Sequence, residues 1–326
     1  MTLLLVITID VEAPQSPLRT SLCKTDLFDP TINGQPFGYS MILRTLNEFG
    51  LRGVFFVNVY EAALWGDHAV QTICQKIANA GQEVALHTHP EWCYDSRRIH
   101  MWQYSAEEQA QIVADGLEML QRWLPDYEII VHRAGAYGLD TNTLLALKKN
   151  GILIDSSMFF QHPNCKLVWS RNQVVARDGI LEIPITGFFR EEVIKFGDVP
   201  LRRRISFVKT DIDAASLEEL KFFVQEAKKH KVKVMNLFLH SYSFIRWSAD
   251  FSHFEPDHQD IEKFRRFLEY ATADPTIRFV TMRELYELYR RDRGSLLDGS
   301  DYVPIYRVEV SLIDKARRKF LGVVGK

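Results

Sequence analysis

Short apolar runs bounded by turn residues alternate along this chain with stretches in which apolar residues recur every three or four positions. That alternation is the pattern of parallel strands joined by crossover helices. Seven runs read as strands: Leu3 to Ile9, Arg52 to Asn58, Glu83 to His87, Glu128 to Arg133, Ile152 to Asp155, Lys233 to His240 and Ile277 to Thr281. Helical spacing is kept by Met41, Leu43, Leu46 and Phe49, and again by Ile112, Leu117, Leu120 and Leu124. Gly50, Gly81 and Gly151 follow three of the helices, where a left-handed cap suits glycine. Seven parallel strands with helices outside predict an incomplete barrel.

The pattern changes between Ser170 and Gly187, where Val174, Val175, Leu181, Ile183 and Ile185 flank Asp178-Gly179 as a β-hairpin inserted in the barrel. No repeat, low-complexity tract or linker divides the chain, so residues 1–291 are expected to form one domain. Residues 292–326 form a basic C-terminal appendix, ending in Lys315, Arg317, Arg318 and Lys319 beside Phe320 to Val324. Peripheral contact with an anionic membrane through this tail is one expectation, and a solvated or packed terminal helix is the other.

At 326 residues, 46% hydrophobic and 25% charged, the chain has the composition of a globular protein with a sizeable core. A formal net charge of −2 argues against nucleic acid as a partner. Cys23, Cys74, Cys93 and Cys165 contain no CxxC pair and read as free thiols. The apolar start is too short for a signal peptide, and no stretch is long enough to span a membrane; a cytoplasmic protein is expected. Nothing in the sequence indicates an oligomeric state.

Carboxyl ends of parallel barrel strands converge on one mouth. There the sequence has Asp10 and Glu12, then His87 and His89, His132 and Arg133, Asp155, and finally His240. On an extended chain residues two apart face the same side, so His87 and His89 can converge on one ion, and Asp10 and Glu12 can both point into the mouth while Val11 turns into the wall. Catalytic zinc sites take three protein ligands and leave a fourth position for a water whose pKa falls to about 7. Asp155 either anchors Arg133 or caps the turn made by Ser156 and Ser157. Trp92, Tyr94, Trp102, Tyr137, Trp169, Tyr242, Phe244 and Trp247 fall in or beside the mouth loops; Trp92, Tyr137 and Tyr242 are the candidates for substrate binding.

The segments Thr8-Ile9-Asp10-Val11-Glu12, Glu83 to Pro90, His132-Arg133-Ala134-Gly135, Asp155-Ser156-Ser157 and Leu237 to Ser241 occur in the order of the polysaccharide deacetylase (NodB-homology) motifs, and the chain resembles that family over about residues 2 to 290. The resemblance implies an α/β fold, a distorted (β/α)7 barrel here carrying the small β-hairpin insertion, and a divalent-metal-dependent hydrolase of acylated sugars. It further implies that Asp10 is the general base, that His87 and His89 bind the metal, that Arg133 orients the base and that His240 is the general acid. Two positions depart from the family: Val11 stands where a metal-binding aspartate is usual, and one residue rather than three separates the histidines. An acid-Val-acid signature is similar to that of the deformylases of lipid-linked aminoarabinose. Glu12 is then the candidate for the third ligand, with Asp10 the alternative carboxylate, and zinc the expected ion.

The expected activity is removal of an N-acyl group, N-acetyl in the first instance, from an amino sugar or glycan precursor. The alternatives are an amidohydrolase acting on a linear or cyclic non-sugar amide, and a catalytically inactive glycan-binding barrel.

Overall fold

The first strand, β1 (Leu3–Val11), shows how the sheet is built: Leu3, Leu5, Ile7, Ile9 and Val11 pack outward against the helices, and Val6, two turns of the pleat below Asp10, packs inward. The computed structural model describes residues 2–14, 28–248 and 253–311. Parallel strands β2 (Val54–Asn58), β3 (Glu83–Thr88), β4 (Val131–Ala134) and β5 (Ile154–Asp155) follow one another on one side of β1. The hairpin expected around Asp178-Gly179 forms from β6 (Val175–Arg177) and β7 (Ile180–Glu182), and β7 joins the main sheet in parallel beside β5. On the other side of β1 lies β10 (Val234–His240), and β11 (Ile277–Phe279) pairs with the start of β1. All seven expected strands are present.

The sheet order is β10-β1-β2-β3-β4-β5-β7-β6, with β11 on β1. Between β7 and β10 the curl is bridged by single residues: Thr210 N–H donates to Thr186 O at 2.9 Å and Phe238 N–H to Thr210 O at 2.9 Å. The result is a distorted, incomplete barrel. The helices α1 (Tyr39–Glu48), α2 (Asp67–Asn79), α3 (Ala106–Trp123), α4 (Thr141–Lys149), α5 (Leu217–Lys229), α6 (His258–Thr272) and α7 (Met282–Arg291) surround it. Ser105 with Glu108, Ser216 with Glu219 and Thr281 with Glu284 form capping boxes that start α3, α5 and α7.

One substructure was not expected. A long antiparallel ribbon, β8 (Gly187–Phe196) with β9 (Val199–Lys209), stands beside the barrel, and β12 (Ile305–Ser311) pairs in parallel with β8. Residues 305–311 of the stretch read as an appendix therefore belong to this ribbon. Lys315, Arg317, Arg318, Lys319 and the apolar residues after them lie outside the described residues, as does Cys23. Cys74, Cys93 and Cys165 are free thiols. No helix among the described residues is long and apolar enough to cross a membrane.

Candidate metal centre and active-site cavity

Strand register brings the polar strand ends together. Asp10 is the register partner of His240, His87 of Arg133, and His132 of Asp155. Side chains alternate across the sheet, so Asp10 and Glu12 face inward, while Val11, fully buried, packs among the outer core residues.

Glu12, His87 and His89 each turn one ligand atom to a common point, the three atoms lying within 4.8 Å of one another. Glu12 Oε2 is 2.8 Å from His89 Nε2 and 3.4 Å from His87 Nε2, and Asp10 Oδ2 is 3.6 Å from His87 Nε2. The remaining ring nitrogens are occupied: His87 Nδ1 lies 2.9 Å from the Arg133 carbonyl, and His89 Nδ1 lies 3.0 Å from Glu91 Oε1. An imidazole that donates from Nδ1 to a carbonyl or carboxylate leaves the Nε2 lone pair for a metal. Glu12 Oε2 and His89 Nε2 are buried and make no hydrogen bond. Buried polar atoms facing one another without a hydrogen bond fit an ion between them.

Electrostatics agree. Burial alone would raise the Glu12 carboxyl, yet the adjacent His89 and His87 hold it well below the usual carboxylate range. Burial would lower the His89 imidazole, yet Glu12 and Glu91 hold it well above its ordinary value. The pocket thus favours positive charge between these groups, the charge a divalent cation brings. Gly135 makes room for the arrangement: a Cβ there would fall 2.5 Å from His89 Cδ2 and Nε2.

Arg133 is fully buried between the rings of Phe56 and Phe238, at 4.0 and 5.0 Å. Its guanidinium donates to Asp10 Oδ1 at 2.6 Å, to Ser156 O at 2.8 Å and to Ser156 Oγ at 3.1 Å. Asp10 is thereby fixed by one oxygen, with Oδ2 directed toward His87. Asp155 does not anchor Arg133. Of the two roles weighed for it, the structure has the turn: Asp155 accepts from Ser157 N at 3.3 Å and Ser157 Oγ at 2.8 Å, and pairs with His132 Nδ1 at 2.7 Å. Burial opposes its charge, but His132 holds its carboxyl below the ordinary range, while burial and Asp155 push the neighbouring Glu182 well above it. Asp155, His132 and Glu182 are buried and are not among the residues that line the cavity described below.

His240 Nδ1 lies 3.5 Å from Asp213 Oδ2, and its ring stacks on Tyr242 at 4.7 Å. Burial disfavours the imidazolium, yet Asp213 raises the His240 pKa above its ordinary value. Beside it Lys209 pairs with Asp211 at 2.6 Å, donates to Tyr137 Oη at 3.1 Å and lies 3.6 Å over Phe238.

A cavity of about 320 Å³ opens here, lined by Asp10, Glu12, His87, His89, His240 and Lys209 together with Tyr137, His162, Asn164 and Tyr242. Tyr137 and Tyr242 are where the sequence puts them. Trp92, in the turn Pro90–Trp92, packs half-buried against the core and is not among the lining residues. Glu91, Lys209, Asp213 and His162 were not singled out from sequence. Glu91 had a signal, a carboxylate two residues after a ligand histidine; Lys209 and Asp213 depend on the unexpected strand β9.

No protein-family model and no curated protein sequence matches the chain. Solved structures do. A protein from Mycobacterium smegmatis assigned to the polysaccharide deacetylases is 19% identical, with a TM-score of 0.60 over 90% of this chain and 91% of that one. The PuuE allantoinase is 12% identical, with a TM-score of 0.57 over 89% and 91%. The 4-alpha-glucanotransferase of Thermococcus litoralis is 10% identical, with a TM-score of 0.52 over 88% of this chain and 40% of that one. The fold is the barrel of the polysaccharide deacetylases, and proteins of more than one chemistry share it.

Proposed function

We propose that this protein is a metal-dependent hydrolase that removes an N-acyl group, in the first instance acetyl, from an amino sugar or glycan precursor. The observation that carries this reading is the convergence of Glu12, His87 and His89, with both Nδ1 atoms engaged and two ligand atoms buried without hydrogen bonds. These three residues would hold a divalent ion, zinc by donor type, which when bound polarises the amide carbonyl and acidifies water. Glu12 rather than Asp10 is the third ligand, because Asp10 is committed to Arg133 and approaches only His87.

Asp10 takes the proton from the attacking water; Arg133, 2.6 Å from Asp10 Oδ1, fixes its orientation. His240, oriented by Asp213, which raises its pKa against the effect of burial, gives a proton to the departing nitrogen. Tyr137 and Tyr242 offer aromatic faces to a sugar ring. A second reading, a small linear or cyclic amide as substrate, is favoured by the likeness to the PuuE allantoinase and by a cavity sized for one ring.

Metal analysis of the purified protein with release assays over acetylated amino sugars, sugar nucleotides and cyclic imides tests both. Bound metal with acetate release is expected. Turnover of imides alone moves the assignment to the second reading, and a metal-free protein that binds sugar without turnover overturns both.

A further inference from the structure

The ribbon β8–β9–β12 carries five of the nine large hydrophobic residues that are exposed among the described residues: Phe196, Val199, Leu201, Ile205 and Ile305, each between 55 and 62% exposed. Scattered singly such residues need no explanation, but five on one projecting element do. Three of them surround the far turn, and the next three positions are arginines, Arg202, Arg203 and Arg204, all exposed.

The distribution identifies the partner. Phe196 pairs with Val199 on the face of Ile194, whereas Ile205 and Ile305 belong to the face of Phe189 and Phe207. A flat protein partner covers one face of a ribbon; an apolar medium takes in the turn from all sides. Consecutive strand residues point to opposite faces, so the three arginines girdle the ribbon on both sides. Between Val199 and Arg202, the first of the arginines, the strand rises about 10 Å, the upper end of the depth of about 5–10 Å that apolar groups reach at a lipid interface, with cations at the headgroups. Within 196–204 Asp198 is the single carboxylate. A second copy fits worse: antiparallel pairing along the outer edge of β9 would set arginine opposite arginine, which is destabilising. Aliphatic side chains ahead of the cations fit lipid better than nucleic acid.

The turn also lies where a second basic and apolar sequence begins. Ser311 is the register partner of Lys195, so the chain continues from beside this turn into the segment that holds Lys315, Arg317, Arg318 and Lys319. At the other end of β9, Lys209 lines the cavity.

We propose that the turn of the β8–β9 ribbon is a membrane-docking element that inserts Phe196, Val199 and Leu201 into an anionic lipid surface, with Arg202, Arg203 and Arg204 at the headgroups. The proposal does not depend on the deacylase reading.

Co-sedimentation of the full chain with phosphatidylcholine vesicles, with and without phosphatidylglycerol, tests it. Binding is expected only with the anionic lipid and is expected to weaken with salt. Arg202→Gln/Arg203→Gln/Arg204→Gln is expected to lower the partition coefficient about a hundredfold, from the energy typical of three surface cations. Phe196→Ser/Leu201→Ser is expected to abolish salt-resistant binding while thermal melting stays unchanged, since both side chains are exposed. Absence of binding by the unaltered protein overturns the proposal, as does unaltered binding by either variant. Loss of binding on truncation after Ser311 with both ribbon variants still bound would assign the contact to the tail. A concentration-dependent dimer that Phe196→Ser/Leu201→Ser dissociates would assign the surface to a second copy.

Discussion

Gly135→Ala is the sharpest probe of the metal centre, because it alters no polar group. The added Cβ would lie 2.5 Å from His89 Cδ2 and Nε2 and 2.6 Å from Cε1, where ordinary contact begins at 3.4 Å. The ring must retreat by about 1 Å, given the steep cost of overpacking. It is not free to do so, since Nδ1 is tied to Glu91 and Nε2 faces Glu12. Overpacking of this size costs about 1–3 kcal/mol. Metal–ligand distances tolerate about 0.2 Å, so a shift of Nε2 by several times that amount should lower zinc affinity about 10–100-fold, the range seen when supporting contacts of a ligand are lost. Competition titration against a chromophoric chelator gives the affinity, and a thermal melt of the metal-free protein gives the packing cost separately. Wild-type affinity in a protein that is destabilised as expected would refute the claim that His89 Nε2 is a ligand in this position.

Glu12→Gln should lower metal affinity with activity partly recovered in excess zinc, whereas Asp10→Asn should retain most of the metal and lose about two to four orders of magnitude in kcat; the reverse result would exchange the two roles. Asp213→Asn removes the carboxylate that raises the His240 pKa. A general acid works in its protonated form, so the falling, high-pH limb of the rate profile should move to lower pH. An unmoved limb in a folded, metal-loaded variant would dissociate Asp213 from His240 in catalysis.

The parts of the molecule legible in the sequence are those where burial imposes a period. The strands at Leu3–Val11 and Val234–His240 are buried on both faces and read as continuous apolar runs. The candidate ligand pairs were legible for the same reason: a spacing of two at the end of a buried strand fixes the side. β9 was not, because from Val199 to Ile205 every residue is exposed and no core imposes alternation. Lys209 reaches the cavity at the end of that strand and Asp213 meets His240 just beyond it, so both escaped notice with it. The role of Asp155 was not legible, because a strand-end carboxylate looks the same in sequence whether it faces the mouth or, as here, pairs with His132. The role of Trp92, which packs against the core, was not legible either, because aromatic residues in a mouth loop serve packing as often as binding.

The two departures from the deacetylase pattern make geometric sense only together. Glu12, one residue past β1, keeps the inward side of Asp10, and His89, one residue past β3, keeps the inward side of His87; each strand end then supplies two inward groups. The closest approach in the cluster, 2.8 Å, is between Glu12 and His89. A barrel that had merely lost its metal would have no need of Glu91 on His89 Nδ1 or of Gly135 beneath the ring. Restoring the usual aspartate is therefore expected not to restore the site. Val11 is fully buried in the outer core and is the register partner of Val57, so Val11→Asp would place an unpaired carboxylate there at a cost of about 3–5 kcal/mol. Val11→Asp alone should melt far below the unaltered protein with no gain in zinc affinity. In the Glu12→Gln background it should rescue nothing. Recovery of zinc binding by the double variant would show that β1 can turn residue 11 into the mouth, and the case for Glu12 as the third ligand would fail.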